Sequence, residues 1–281
     1  MRNPLKIARR LGKRAGKASG LLPSRRFILL CHQRSGSNMF ASMLDRHPAV
    51  EVYGQLYKDD PAFQAAVHRM GVPAFSGQLF DDQRESRERF DYLEDHPNER
   101  EYRNVLPFTE TFFRRFDQNT LATRLGIKFH GGTLYQDEIG SVFFSGQYQV
   151  ILQYRKNFLA AAVSWYQARE LNQWMRRNGD QVEQPPLSMD VDTLRWFVDN
   201  TKQDIAQWKE MLRTRGIEYL ELTYEEITEA AFSFRSVWDF LDVKDIGRPS
   251  SDTRKLIKSY DHIENLPEIR EALASDENGY L

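Results

Sequence analysis

The sequence predicts an α/β protein: a central, mostly parallel sheet flanked by helices in three layers, with a helical insertion. Three observations predict it. Residues 27–30 and 148–154 are short apolar runs bounded by turn residues, the length and composition of buried parallel strands. Each leads directly into a segment with one helical apolar face, Phe40, Met43 and Leu44 in the first case and Phe158, Ala162, Trp165 and Tyr166 in the second. Strand-like and helix-like stretches then keep alternating, which is the pattern of helices covering both faces of a parallel sheet.

Taken in order, residues 1–25 form a basic amphipathic segment. Residues 1–26 hold nine Lys or Arg and no acid, leaving 30 basic against 40 acidic residues in the remainder of a chain whose net charge is −1. On a helical wheel Ile7, Ala8, Leu11, Ala15, Ala18 and Leu22 share one arc, and Lys6, Arg9, Arg10, Lys13, Arg14 and Lys17 the adjoining one. Residues 1–22 can therefore lie on an anionic membrane surface; a transit peptide and a solvated tail are the other readings of the same pattern. No run approaches the roughly 18 apolar residues of a membrane span. The single cysteine, Cys31, rules out an internal disulfide and suits a reducing compartment. A cytoplasmic protein, peripheral on the inner membrane face, is the expectation, with no nucleic-acid partner.

Residues 26–275 are expected to form the main domain. After the first strand come Gln33, Arg34, Ser35, Gly36, Ser37 and Asn38, then a helix ended by His47-Pro48. Strand, small-residue turn with a cation, and helix start together make an anion cradle, because backbone N–H groups and the helix dipole both favour negative charge there. Gly36 permits close approach, Ser35 and Ser37 bring hydroxyls, and Arg34 brings charge-assisted hydrogen bonds. The G-x-x-x-x-G-K-[ST] spacing of a Walker A loop is absent. Residues 50–53 read as a short strand.

Residues 59–122 are dense in charge and read as helices and loops inserted between strands, in the manner of a lid. Residues 125–129 read as a third strand, with Lys128 at its end and His130 just beyond. The strand at 148–154 ends in Arg155-Lys156-Asn157, and Ser164 lies nine residues after Arg155 and eight after Lys156. A cation at a strand end and a hydroxyl on the next helix can clamp one phosphate. Residues 190–214 show Leu194, Phe197, Val198, Thr201, Ile205, Trp208 and Leu212 at helical spacing. A strand at 218–222 follows, then helices near 224–230 and 233–242 with Trp238, Phe240 and Leu241 in the core.

In this order and separation the two motifs resemble those of sulfotransferases that use 3′-phosphoadenosine 5′-phosphosulfate (PAPS). The likeness is closer to the bacterial carbohydrate sulfotransferases, including trehalose 2-sulfotransferase-like and lipopolysaccharide sulfotransferase-like proteins. QRSGSNMFASMLDRHP resembles their 5′-phosphosulfate loop and helix, VILQYRKNFLAAAVSWYQA their 3′-phosphate segment, and EYLELTYEEI, WDFLDV and DHIENL later stretches. The resemblance covers most of residues 26–270 outside the insertion.

It implies a P-loop-like fold. It also implies that Arg34, Ser35, Gly36, Ser37 and Asn38 hold the 5′-phosphosulfate, and that Arg155 and Ser164 hold the 3′-phosphate. The family's usual arginine-to-serine offset is eight, so Lys156 shares or takes the role of Arg155. The implied reaction moves a sulfuryl group from PAPS to a hydroxyl of a sugar, glycan or glycolipid, releasing 3′,5′-ADP, with no metal.

Such transfer needs in-line positioning, charge stabilisation and a general base. The trehalose-type enzymes carry a glutamate where this chain has Gln55, and an amide cannot take a proton. His130 and Glu51 are the candidate bases, Lys128 a further cation, and Gln55 a group able to orient a hydroxyl. His32 precedes the cradle and packs under it. A P-loop-like kinase or nucleotide hydrolase is the alternative enzyme reading, and a catalytically dead nucleotide-binding relative the non-enzymatic one.

Overall fold

The computed structural model describes residues 25–53, 76–77, 102–103, 113, 122–130, 148–174, 184–251 and 260–281. The basic N-terminal segment, Gln55 and most of the insertion lie outside the described residues.

Seven strands and six helices are named among these residues. They are β1 (Arg25–Cys31), α1 (Ser37–Leu44), β2 (Val50–Tyr53), β3 (Ser76–Gly77), β4 (Tyr102–Arg103), β5 (Arg124–His130), β6 (Gln149–Tyr154), α2 (Phe158–Glu170), α3 (Val191–Thr214), β7 (Tyr219–Thr223), α4 (Tyr224–Thr228), α5 (Arg235–Phe240) and α6 (Leu266–Leu273). The main sheet has five strands in the order β2-β5-β1-β6-β7. The pairs β2–β5 and β6–β7 are both parallel. The predicted α/β class, a parallel sheet with helices packed on it, is therefore the observed one.

The chain divides into two compact units, residues 1–28 with 48–148, and residues 29–47 with 149–281. In the first, β2 and β5 pair with Val50 opposite Arg124 and Tyr53 opposite Ile127. Phe27 is fully buried here and brings the tip of its ring to Gly126, where a Cβ would come 2.1 Å from Cζ. Gly126 is thus the space that the Phe27 ring occupies. Gly126→Ala should lower the melting temperature by about 3–10 °C, the cost of forcing a methyl into a filled core. Pairing it with Phe27→Leu should restore part of that loss; an unchanged single-variant Tm would refute the account.

Within the insertion, the described residues form a two-stranded antiparallel ladder, Ser76 opposite Arg103 and Gly77 opposite Tyr102. The sequence reading expected helices and loops there. A two-residue strand leaves no periodicity to read, and the density of charge around it reads as helix.

In the second unit, α2 is buried on nearly every side from Leu159 to Ala168. Its Ala160-Ala161-Ala162 run lets neighbours approach closely all round. α3 is amphipathic: its buried residues are Leu194, Phe197, Val198, Thr201, Ile205, Trp208 and Leu212, the seven that the helical spacing predicts. Asp190 caps its start by accepting from the Thr193 N–H at 2.6 Å. Helices α2 and α3 share a core with Met189, Ile263, Ile269 and Leu273.

Trp238 and Leu241 are buried as expected, whereas Phe240 is only half-buried. α5 is short enough that its last residue already faces the rim. Among the described residues no helix is long and apolar enough to cross a membrane.

Candidate anion-binding site

The cradle forms because the chain leaves the buried β1 and must turn sharply to start α1. Arg34 and Gly36 both adopt left-handed backbone, at φ +59° and +75°. Glycine takes that conformation freely; for arginine it costs roughly 1 kcal/mol, so the loop holds Arg34 under strain. Gly36 caps α1, whose first turn has no side-chain cap. A Cβ on Gly36 would lie 2.5 Å from Cδ2 of Tyr224, so the turn is pressed against that ring.

Internal hydrogen bonds hold the loop in shape. The fully buried Ser35 donates its hydroxyl to the His32 carbonyl at 2.7 Å. Gln153, also fully buried on β6, donates its amide N–H to the Ser35 carbonyl at 2.7 Å. The Ser35 hydroxyl proton is consequently used within the loop. Ser37 differs: it has no hydrogen-bond partner for its hydroxyl among the described residues. Asn38, the next residue, is exposed in the first turn of α1.

His32 lies beneath the loop, as expected from its position. Its ring packs edge-on against Phe197, with ring centroids 5.4 Å apart, and sits 3.5 Å from the Asp204 carboxylate. It braces the loop from α3.

The guanidinium of Arg34 crosses to the second motif. Its Nε donates to Ser164 Oγ at 2.9 Å and its Nη1 to the Trp174 carbonyl at 2.7 Å. Ser164 is buried on α2. The sequence coupled Ser164 with Arg155; the structure joins it directly to Arg34 and so ties the two motifs together.

Arg155 turns inward from the end of β6. It lies over the Tyr224 ring at 4.9 Å, and its Nη1 donates to the Ala160 carbonyl at 3.3 Å. Its Nε is 3.8 Å from the Glu225 carboxylate, too far for a hydrogen bond. Lys156, the other candidate at this position, points outward: its side chain is 60% exposed and pairs with Glu226 at 3.7 Å. Arg155 is therefore the inward-facing cation.

The electrostatics follow from this geometry. Burial, and then the charge of Arg155, push the Arg34 pKa down to about 10. Arg34 and Arg155, both half-buried cations, repel each other. Among the described residues the hydrogen-bond partners of Arg34 are neutral oxygens, and Arg155 Nε is buried without a hydrogen bond. A half-buried cation pair with an open donor is an arrangement that an anion completes.

No protein-family model matches the chain. No curated protein matches it either. Solved structures do. One is the sulfotransferase from Alicyclobacillus acidocaldarius, with a TM-score of 0.43 and 14% identity over 90% of this chain and 94% of that one. Another is the sulfotransferase domain of the Synechococcus PCC 7002 olefin synthase, with a TM-score of 0.36 and 15% identity over 80% and 76%.

The candidate catalytic residues belong to the other unit. Glu51 lies in β2 opposite Leu125, and Tyr53 opposite Ile127. Side chains alternate along a strand and registered neighbours share a face, so Glu51 lies on the face of Leu125 and Ile127. Lys128 and His130 lie on the opposite face with Arg124 and Gly126. The register thus brings Lys128 and His130 together and separates Glu51 from them. β5 runs to His130, so Lys128 sits buried two residues inside the strand rather than at its end.

Sequence reasoning missed two residues at the start of α4, Tyr224 and Glu225. The signal present was Thr223-x-x-Glu226, the S/T-x-x-E capping box, which the structure forms in full. It announces that a helix begins at this point and does not reveal what the residues inside the box touch.

Proposed function

We propose that the protein transfers a sulfuryl group from PAPS to a hydroxyl of a sugar, glycan or glycolipid, leaving 3′,5′-ADP. The observation that carries this reading is the Arg34–Arg155 pair: two half-buried, mutually repelling guanidiniums, with Arg155 Nε buried and free of hydrogen bonds. One sits on a strand-to-helix loop and the other at a strand end, the positions at which the two motifs resemble those for a 5′-phosphosulfate and a 3′-phosphate.

In this reading Arg34 and the first turn of α1 receive the charge that builds on the leaving phosphate as the S–O bond to the acceptor forms. Ser37, with its open hydroxyl, adds a donor at the same end. Ser164, held by Arg34, and Arg155 bind the 3′-phosphate and fix the nucleotide in register for in-line transfer. His130, with Lys128 on the same face of β5, is the proposed base for the acceptor hydroxyl, its ordinary pKa lying close to neutrality. Glu51, on the other face, is the competing base.

The direct test is a thermal-shift titration followed by transfer of labelled sulfate. 3′,5′-ADP should raise the melting temperature, whereas ATP with magnesium should not. A glycan or glycolipid extract should then accept label from PAPS. Stabilisation by ATP alone, with no response to 3′,5′-ADP, would overturn the donor assignment.

A further inference from the structure

The turn between β6 and α2 already holds an anion, and that anion belongs to the protein. The carboxylate of Glu225 accepts from the Lys156 N–H at 2.9 Å and from the Asn157 N–H at 3.1 Å. Its Oε1 lies 3.8 Å from Arg155 Nε. Two consecutive backbone amides and a guanidinium converging on one group is how proteins bind a phosphate. Here a side chain fills that place, at the residue that opens the way into α2.

The neighbours of Glu225 explain why it is fixed there. Thr223 and Glu226 form a reciprocal capping box that locks the first turn of α4. Tyr224, within that turn, presses its ring against Gly36 and also lies under the Arg155 guanidinium. Asn157 caps α2 by accepting from the Ala160 N–H at 2.8 Å, and Arg155 reaches the carbonyl of that same residue. One turn of helix therefore touches both anion motifs: Tyr224 meets the loop after β1, and Glu225 grips the turn after β6.

We infer that Glu225 is the positioning residue for the second anion of the donor, occupying the backbone amides of the β6–α2 turn so that Arg155 presents its guanidinium to the 3′-phosphate. The inference rests on the donor reading above. It assigns the amides of Lys156 and Asn157 to the protein itself, and leaves side chains alone to meet the 3′-phosphate.

Charge and position predict opposite signs for this residue. Removing a carboxylate beside Arg155 makes the surroundings more positive, which on Coulomb grounds alone tightens anion binding. Loss of the anchor frees the turn and lets Arg155 leave its place, which weakens it.

The test is isothermal titration of the full chain with 3′,5′-ADP and with 5′-AMP, which lacks the 3′-phosphate. Glu225→Ala should weaken 3′,5′-ADP by about tenfold or more, the scale of lost hydrogen bonds to a charged group, while 5′-AMP stays within about twofold of wild type. Glu225→Gln, which keeps one accepting oxygen, should fall between the two and serves if the alanine variant does not fold. Unchanged or tighter 3′,5′-ADP binding by these variants, or equal weakening of both nucleotides, overturns the inference and leaves the donor assignment standing. A wild-type protein that does not distinguish 3′,5′-ADP from 5′-AMP overturns the donor assignment, and the inference with it.

Discussion

Arg34→Ala is expected to abolish 3′,5′-ADP binding and sulfuryl transfer together while leaving the unliganded protein nearly as stable as wild type. The affinity loss should reach at least about 30-fold, since truncating one partner of a buried charged contact costs about 2–5 kcal/mol. Stability behaves differently because Arg34 carries opposing contributions. Its bonds to Ser164 and to the Trp174 carbonyl stabilise the fold. Its partial burial beside Arg155 destabilises it, and alanine removes that cost.

The sign of the charge effect follows from linkage. The folded-state pKa, about 10, lies below the ordinary arginine value of the unfolded chain. The unfolded chain therefore holds more protons between those two values, and stability from this group rises with pH only across that alkaline window. Below about pH 10 the penalty is constant and fully present, and a bound anion relieves it. Titrations at pH 6 and pH 9 should accordingly show no change in affinity traceable to Arg34. Urea melts of the apo variant check the other half of the expectation. A large loss of apo stability would make Arg34 a structural residue and remove the main support for the anion site.

Such opposition between folding and binding also explains what the sequence could tell. The seven buried positions of α3 were legible because a helix that packs on one side must repeat its apolar residues at 3.6. The cradle was legible because a strand, a small-residue turn and a helix start are local in sequence. Bonds between distant segments leave no such trace. Ser164 is nine residues from Arg155 and 130 from Arg34, yet it is Arg34 that it binds. Glu225 reads as one more acid in TYEEI, and only the fold brings it to the amides of Lys156 and Asn157.

The choice between base candidates has the same character. Glu51 and His130 look equivalent along the chain, and the pairing of β2 with β5 puts them on opposite faces. Register is a tertiary property, set by which strand lies beside which, so spacing within one strand could not reveal it.

Gly36→Ala should be strongly damaging for a single added methyl. Two separate costs meet at this residue. A left-handed backbone at φ +75° penalises any Cβ by about 1–2 kcal/mol. The added carbon would also lie 2.5 Å from Cδ2 and 2.9 Å from Cε2 of Tyr224, and relieving such overpacking costs about 1–3 kcal/mol more. The ring also carries the Arg155 guanidinium, so moving it aside disturbs that contact.

Denaturant melts should therefore show a loss of roughly 2–5 kcal/mol, the sum of those two ranges. Donor binding should fail as well, since both motifs are displaced through the one ring. A double-mutant cycle with Tyr224→Ala separates the two costs. Removing the ring should recover the collision part of the stability loss and leave the backbone part. Binding of 3′,5′-ADP should not return, because the ring that fixes the spacing of Arg34 and Arg155 is gone. If the double variant regained both stability and binding, Tyr224 would be an obstacle rather than the spacer between the two anion motifs, and the two-phosphate geometry would have to be built from other residues.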